Sequence, residues 1–330
     1  MPVIAVAGGT GGVGKTIVER LVSEPKHQVI VLSRQVRQDR FERAKYLQIA
    51  KKNVQGSIQG LSSSRFQRVQ IDYNDIPSMA RVLEDVHVDT IVSAIGLVSD
   101  ETSQAQLNLI EAAEKSRTTK RFIPSEFSFI QTEELLHIDP SIKYWLDAAN
   151  RLKSSSLQFT RVVPGFFMDY WGMPNIQSNL QPYSFGINIA KHSAAIPGNG
   201  DDVICTTYSY DMANYLVKLL DLDEWPEFSV IVGDEVTYNQ ILKMAEEFTG
   251  TKFEVTYDSV DQVNAGNVTI PPNPPGTKYS EEEMREVTAL VSRLTVNGVF
   301  ELPKENRLNE LFPDIHPITM KELLERSWKK

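Results

Sequence analysis

The feature that most constrains this chain is a run of five glycines between residues 8 and 14, reading Gly8-Gly9-Thr10-Gly11-Gly12-Val13-Gly14. It follows a short apolar segment, residues 3–7, of the kind found in strands covered on both faces. It precedes a segment that places Ile17, Val18, Leu21 and Val22 on one helical face. Glycines in this context let backbone N–H groups approach phosphate oxygens at a helix N-terminus. The loop therefore predicts a phosphate site in an α/β fold.

The first half of the chain repeats this strand–helix alternation. Further strands are predicted at residues 29–32, 69–71, 90–96, 121–124 and 158–163. This spacing is typical of a doubly wound parallel Rossmann sheet, with residues 1–165 as the nucleotide-binding domain. Residues 166–330 are expected to form a smaller, mixed α/β lobe that contributes in part to the sheet.

Several helix boundaries are also predicted. Capping boxes are expected to open helices at Thr237/Gln240, Ser280/Glu283 and Thr319/Glu322, and Asp211 to cap another. A further helix is suggested by the spacing of Phe41, Ala44, Leu47 and Ala50, inside an unusually long connection over residues 35–68.

The glycine loop matches two different motifs. Read as Gly8-x-x-Gly11-x-x-Gly14, it is a variant of the dinucleotide-binding fingerprint. Read as Gly9-x-x-x-x-Gly14-Lys15-Thr16, it matches the phosphate loop of magnesium-dependent triphosphatases. The pattern alone does not separate the two.

The strand ends favour the dinucleotide. A triphosphatase needs a magnesium-binding acid after an apolar strand, whereas residues 93–96 contain none and Asp72 follows only a weakly apolar segment. The dinucleotide motif needs a ribose-binding group after the second strand. Ser33-Arg34 stands there, and a guanidinium is suited to a 2′-phosphate. NADP(H) is therefore favoured over NAD(H), although Arg34 could also be an ordinary surface arginine.

Charge and composition exclude several classes of protein. The net charge of −9 argues against a nucleic-acid partner, while residues 1–70 carry 12 Lys and Arg against 4 Asp and Glu, which suits a small anionic ligand. The single cysteine, Cys205, excludes a disulfide framework, and the five histidines lack ligand spacing, so no metal is expected. No apolar run reaches the roughly 20 residues of a membrane helix. We expect a cytoplasmic protein without a membrane partner.

Several segments together resemble one family. The glycine loop, Ser33-Arg34, Asp72-Tyr73 and residues 120–127, which end in Pro124-Ser125-Glu126-Phe127, are similar to the NmrA-like, isoflavone-reductase-like branch of the atypical short-chain dehydrogenases, most of all to its fungal members. The resemblance implies a Rossmann fold that binds NADP(H). The cofactor residues it implies are Gly8, Thr10, Gly11, Gly12, Val13, Gly14, Arg34, Asp72, Tyr73, Ala94, Ile95, Gly96, Pro124, Ser125, Glu126, Phe127, Pro164 and Gly165.

The catalytic group is harder to assign. No tyrosine has a lysine four positions later, so the usual Tyr-x-x-x-Lys pair is missing. The family's plant reductases use a lysine in a slot that falls nearest Trp145, and the closest lysine is Lys143. A desolvated Lys143 with a lowered pKa is one candidate proton donor, and Tyr170 is another. Lys143 could instead be a surface residue and Tyr170 could merely pack.

The expected substrate is a small apolar molecule, aromatic or polyketide-like. Phe166, Phe167, Met168 and Trp171 form a stretch suited to a flat ligand, with core packing as the alternative. We expect an NADP(H)-dependent reductase that is a monomer or homodimer. The alternatives are a non-catalytic NAD(P)-sensing regulator that binds a protein partner and, further off, a phosphate-loop ATPase.

Overall fold

The computed structural model describes residues 1–34 and 66–329. The helix predicted around Phe41 to Ala50 lies outside the described residues, as does nearly all of the long connection that contains it.

A six-stranded parallel sheet forms the centre of the first half. Its strands are β1 (Val3–Ala7), β2 (Gln28–Ser33), β3 (Phe66–Gln70), β4 (Thr90–Ser93), β5 (Arg121–Ile123) and β6 (Gln158–Phe159), in the order β3-β2-β1-β4-β5-β6. Every neighbouring pair is parallel. This order is that of the dinucleotide-binding fold, which confirms the predicted Rossmann class.

Helices cover both faces of the sheet. They are α1 (Gly12–Ser23), α2 (Ile76–Asp85), α3 (Asp100–Lys115), α4 (Lys143–Lys153) and, from the second half of the chain, α6 (Ser209–Leu219). Ile4 and Val6 of β1 share one core with apolar residues of α1 and α6. Ala5 and Ala7 share the opposite core with residues of α2, α3 and α4. The alternation follows from the two-residue period of a strand.

The single strand predicted at residues 158–163 is broken in two, which corrects that expectation. β6 pairs with β5, whereas β7 (Arg161–Val163) pairs in parallel with β12 (Phe228–Val230). The exchange occurs at Thr160, whose hydroxyl lies 2.7 Å from that of Ser229. Directly after it, the Arg161 N–H donates to Glu227 O at 2.8 Å. The predicted strand is divided because its two parts pair with different strands, and no local sequence pattern indicates such a change of partner.

The second half builds two small sheets and a further core. The remaining strands are β8 (Phe166–Phe167), β9 (Ile187–Asn188), β10 (Ser193–Pro197), β11 (Ile204–Thr207), β13 (Asp234–Val236) and β14 (Glu254–Asp258). The remaining helices are α5 (Asp169–Gly172), α7 (Tyr238–Thr249), α8 (Val260–Asn264), α9 (Glu281–Val296), α10 (Leu308–Leu311) and α11 (Met320–Trp328). The sheets have the orders β14-β10-β9 and β13-β11-β8.

The predicted helix starts are largely confirmed. Complete capping boxes open α7, α9 and α11 at the three expected positions. The expectation for Asp211 was wrong, because α6 begins at Ser209 and Asp211 lies in its first turn. The buried carboxylate of Asp169 accepts the Ser209 N–H instead, at 2.9 Å. A residue forty positions earlier in the chain thus performs the capping.

Within residues 1–34 and 66–329, no helix has both the length and the apolar character that crossing a membrane requires.

Candidate functional site

The predicted cofactor residues lie where strands end. Gly8 follows β1, Arg34 follows β2, and Asp72-Tyr73 comes shortly after β3. Residues 94–96 follow β4, residues 124–127 follow β5, and Pro164-Gly165 follow β7. Because β1 to β6 run parallel, their carboxyl ends meet at one edge, and open α/β sheets bind ligands beyond that edge.

Two glycines of the loop have no room for a side chain. Gly8 has a φ of +72°, and a Cβ there would lie 2.3 Å from Ala94 O. A Cβ on Gly14 would lie 2.3 Å from Gly8 O. The Gly11 N–H donates to Gly8 O at 3.0 Å and closes the turn. The loop is thus held tightly between β1, the end of β4 and the first turn of α1. A phosphate would bind to its backbone N–H groups and to the N-terminus of α1.

Arg34 and Tyr73 follow the neighbouring strands β2 and β3. Burial raises the pKa of Tyr73 to about 12, and the positive charge of Arg34 opposes that shift. Arg34 is exposed, and its carbonyl accepts from Gln70 Nε2 at 3.2 Å. Asp72 is exposed and accepts the Asn74 N–H at 2.9 Å. An exposed guanidinium and an aromatic side chain at the ends of neighbouring strands suit an adenosine that carries a 2′-phosphate.

The segment after β5, residues 124–127, is anchored by a buried ion pair. The carboxylate of Glu126 forms a bidentate ion pair with Arg161, at 2.5 and 2.7 Å, and both side chains are at least 96% buried. Burial raises the pKa of Glu126, and the guanidinium opposes the shift. With its carboxylate enclosed in this way, Glu126 can line a cofactor through its backbone alone. Sequence reasoning identified the glutamate and missed its partner.

Gly165 ties this segment to the second half of the chain. Its N–H donates to Ser128 O at 3.0 Å. Its φ is +68°, and a Cβ would lie 2.2 Å from Cys205 O in β11. Only glycine fits so close to a neighbouring strand.

Thr16 is placed unfavourably for the triphosphatase interpretation. Thr16 is fully buried, and its hydroxyl donates to Gly12 O at 3.2 Å. The hydroxyl oxygen of Thr16 also accepts from Asn179 Nδ2 at 3.2 Å. A magnesium-binding threonine must face the nucleotide. The burial of Thr16 and the strand order both favour the dinucleotide.

Lys143 does not have the environment expected of a desolvated proton donor. It is the first residue of α4, about half exposed, and its Nζ lies 3.0 Å from Asp100 Oδ1. The hydrogen bond and negative charge of Asp100 raise the pKa of Lys143. Of the two alternatives for Lys143, the structure agrees with a surface residue and not with a pKa lowered by burial, because the exposed side chain pairs with a carboxylate of α3. Trp145, nearest the position where the resemblance to the plant reductases implies a lysine, packs against the core of the second half.

The aromatic stretch after Gly165 lies mostly in the interior. Phe166, Phe167, Met168 and Trp171 are all buried, and the indole N–H of Trp171 donates to Phe185 O at 3.1 Å. As the structure stands, core packing accounts for these four side chains. Tyr170 is the half-buried member of the stretch, and burial raises its pKa strongly.

Tyr170 belongs to an aromatic cluster that sequence reasoning missed. Its ring centroid lies 4.6 Å from that of Phe185, which also contacts Tyr183 at 4.6 Å and Phe166 at 5.0 Å. Tyr279, which is partly exposed, contacts Tyr183 at 5.5 Å. These residues come from three separate segments of the second half, so no sequence window contains them together.

The chain is similar to known proteins over its whole length. The NmrA-like family profile matches residues 2–324. Oxidoreductase BOA1 of Botryotinia fuckeliana is 32% identical over 95% of this chain and 95% of that protein. Oxidoreductase swnN of Metarhizium robertsii is 28% identical over 99% of this chain and 98% of that protein.

Solved structures share the fold. The structure of AtPrR2 with NADP+ and (+)pinoresinol superposes with a TM-score of 0.72 at 21% identity, covering 98% of each chain. The family profile spans nearly every residue, and the segments that resemble the family lie at the strand ends described above. The chain belongs to the NmrA-like family.

Proposed function

We propose that this protein is an NADPH-dependent reductase of the isoflavone-reductase-like type. The observation that carries the proposal is the carboxyl edge of the parallel sheet. After β1 comes a loop in which Gly8 and Gly14 have no room for a side chain, and after the neighbouring strand β2 comes the exposed Arg34. Two relatives that cover at least 95% of the chain are named oxidoreductases, and AtPrR2 holds NADP+ in the same fold.

The residues present fit this cofactor. The loop from Gly8 to Gly14 and the start of α1 would bind the diphosphate, and Arg34 would bind the 2′-phosphate. Pro124 to Phe127 and Pro164-Gly165 would lie beside the nicotinamide. The cofactor supplies the hydride when bound. The chain's own contribution would be to orient the two reactants and to exclude water.

The substrate we propose is a small, mostly apolar molecule with an aromatic or polyketide-like ring system. Half-buried apolar side chains pack on the core of the second half, which contains the buried aromatic-stretch residues Phe166, Met168 and Trp171. Among them are Ile130, Leu136, Trp145, Tyr170 and Phe185. We propose that these side chains line the substrate site, which would then recognise its ligand mainly through apolar contact. The ligand of AtPrR2, (+)pinoresinol, supports an aromatic substrate.

The cofactor assignment is tested at Arg34. We expect Arg34→Ala to weaken NADPH binding about 10- to 100-fold, because a charge-assisted contact to the 2′-phosphate is lost, and to leave NADH binding unchanged. Isothermal titration calorimetry with both coenzymes measures this. The control is Arg117→Ala, which removes an exposed arginine paired with Glu84 and should bind both like the wild type. Tight Mg²⁺–ATP binding with no heat from either coenzyme would contradict the proposal.

The proton donor is tested by the pH dependence of turnover. A lysine donor is active while protonated, so the raised pKa of Lys143 extends activity to higher pH. If Lys143 is the donor, Asp100→Asn should move the alkaline limit of kcat to lower pH, and Lys143→Ala should abolish turnover. If Tyr170 is the donor, both variants keep the wild-type profile and Tyr170→Phe loses turnover.

The exposed position of Lys143 also favours one rival, a regulator that binds NAD(P) and a protein partner without turnover. NADPH oxidation against a panel of aromatic enones and quinones separates the two. Cofactor binding without turnover on any compound, together with unchanged binding in Lys143→Ala, would favour the regulator.

A further inference from the structure

A buried glutamine on α3 holds the backbone of the segment after β5. Gln106 is 1% exposed, and its Oε1 accepts the Ser125 N–H at 2.9 Å. Its Nε2 is also buried and has no hydrogen-bond partner among the protein atoms of the described residues. Buried side-chain amides nearly always form hydrogen bonds, so the bond to the Ser125 N–H is the contact through which this buried side chain can act on the segment.

Three anchors act on four consecutive residues of this segment. Gln106 holds the N–H of Ser125, Arg161 holds the side chain of Glu126, and the Gly165 N–H holds the carbonyl of Ser128. Between them, Phe127 has a φ of +36°, which a bulky residue rarely adopts. Such a conformation persists only where its surroundings determine it. The segment is therefore placed by its anchors and not by its own preference.

We propose that Gln106 is a positioning residue for the nicotinamide end of the cofactor site. The inference rests on the proposed function, since it takes residues 124–127 to lie beside the nicotinamide. Gln106 comes from α3, whose first turn is fixed by a capping box between Ser99 and Thr102. The hydrogen bond from the Ser125 N–H to the amide oxygen of Gln106 fixes the Ser125 peptide relative to α3. Hydride transfer is sensitive to small displacements of the nicotinamide, because the reacting atoms must be aligned and lie about 3–3.5 Å apart.

The test separates the two ends of the cofactor. 2′,5′-ADP contains the adenosine end only, so it reports on Arg34 and not on the segment after β5. We expect Gln106→Met to bind 2′,5′-ADP like the wild type, to bind NADPH about tenfold more weakly, and to lower kcat with any active substrate. Gln106→Glu has the same shape as glutamine and keeps an oxygen acceptor when its buried carboxyl is protonated, so it should recover most of the NADPH affinity at a pH that keeps this group neutral.

A matched control lies on the same helix. Gln104 is exposed and contacts Asn108, so Gln104→Met should bind both ligands like the wild type. Gln106→Asn is the second test variant, because it retains an amide but withdraws it from Ser125; it should behave like Gln106→Met.

Three results overturn the proposal: NADPH affinity in Gln106→Met equal to that of the wild type, equal losses of 2′,5′-ADP and NADPH affinity, or failure of both test variants to fold, which would make Gln106 a purely structural residue. Failure of the proposed function is distinct, because the wild type would then either bind neither ligand or bind both without oxidising NADPH with any compound of the panel.

Discussion

Replacing Arg161 with methionine is expected to lower the free energy of unfolding by about 3–5 kcal/mol, the usual cost of removing one partner from a buried ion pair. The change leaves the carboxylate of Glu126 enclosed without its cation. It also removes the contacts of the guanidinium with Gln131 O, at 3.1 Å, and with the ring of Phe228, 4.5 Å away. Chemical denaturation followed by tryptophan fluorescence measures the loss.

Two further variants test the cause of that loss. Arg117→Met removes the same type of side chain from an ion pair in which the arginine is 88% exposed, and it should change stability very little. The double variant Glu126→Gln/Arg161→Met should be more stable than Arg161→Met, because no charge is then buried alone. A loss no larger in Arg161→Met than in Arg117→Met would mean that the pair is not what stabilises the segment.

Gly8→Ala is expected to weaken NADPH binding by about 100-fold, equivalent to roughly 2.7 kcal/mol. Its Cβ would lie 2.3 Å from Ala94 O, so the loop must move away from β4, and the N–H groups that we propose bind the phosphate move with it. The backbone at φ +72° is an additional cost for any residue other than glycine.

Gly266→Ala provides the control for backbone strain. Gly266 has a φ of +74°, and a Cβ there meets no atom within 4 Å. That variant should lose about 1–2 kcal/mol of stability through strain alone and bind NADPH like the wild type. If calorimetry finds equal affinities in the two variants, the close approach of Gly8 to β4 has no part in cofactor binding.

The parts of this protein that the sequence predicts well are those set by local physics. The apolar runs of β1 and β2 have nothing polar to place against water, so they form strands covered on both faces. The capping boxes at Thr237, Ser280 and Thr319 satisfy backbone N–H groups with side chains three residues away. The glycine loop likewise lies between a strand and a helix that are its immediate neighbours in the chain.

The parts that sequence reasoning missed depend on partners far away in the chain. Arg161 meets Glu126 across 35 positions, and Tyr170 meets Phe185 and, through Tyr183, Tyr279. The pKa of Lys143 moves opposite to expectation because Asp100 belongs to a different helix. In each case the residue was visible in the sequence, but its neighbour was decided by how the helices and strands pack.

The strand exchange at Thr160 has a consequence for protein engineering. β7 carries Pro164-Gly165 at its end but pairs with β12, and α6 shares a core with α1. A chimera that joins the first half of this chain to the second half of a relative would cut through both interfaces at once. Altering substrate choice by exchange should therefore graft short segments, such as residues 181–188 around Phe185, and leave β12 and α6 with their native partners.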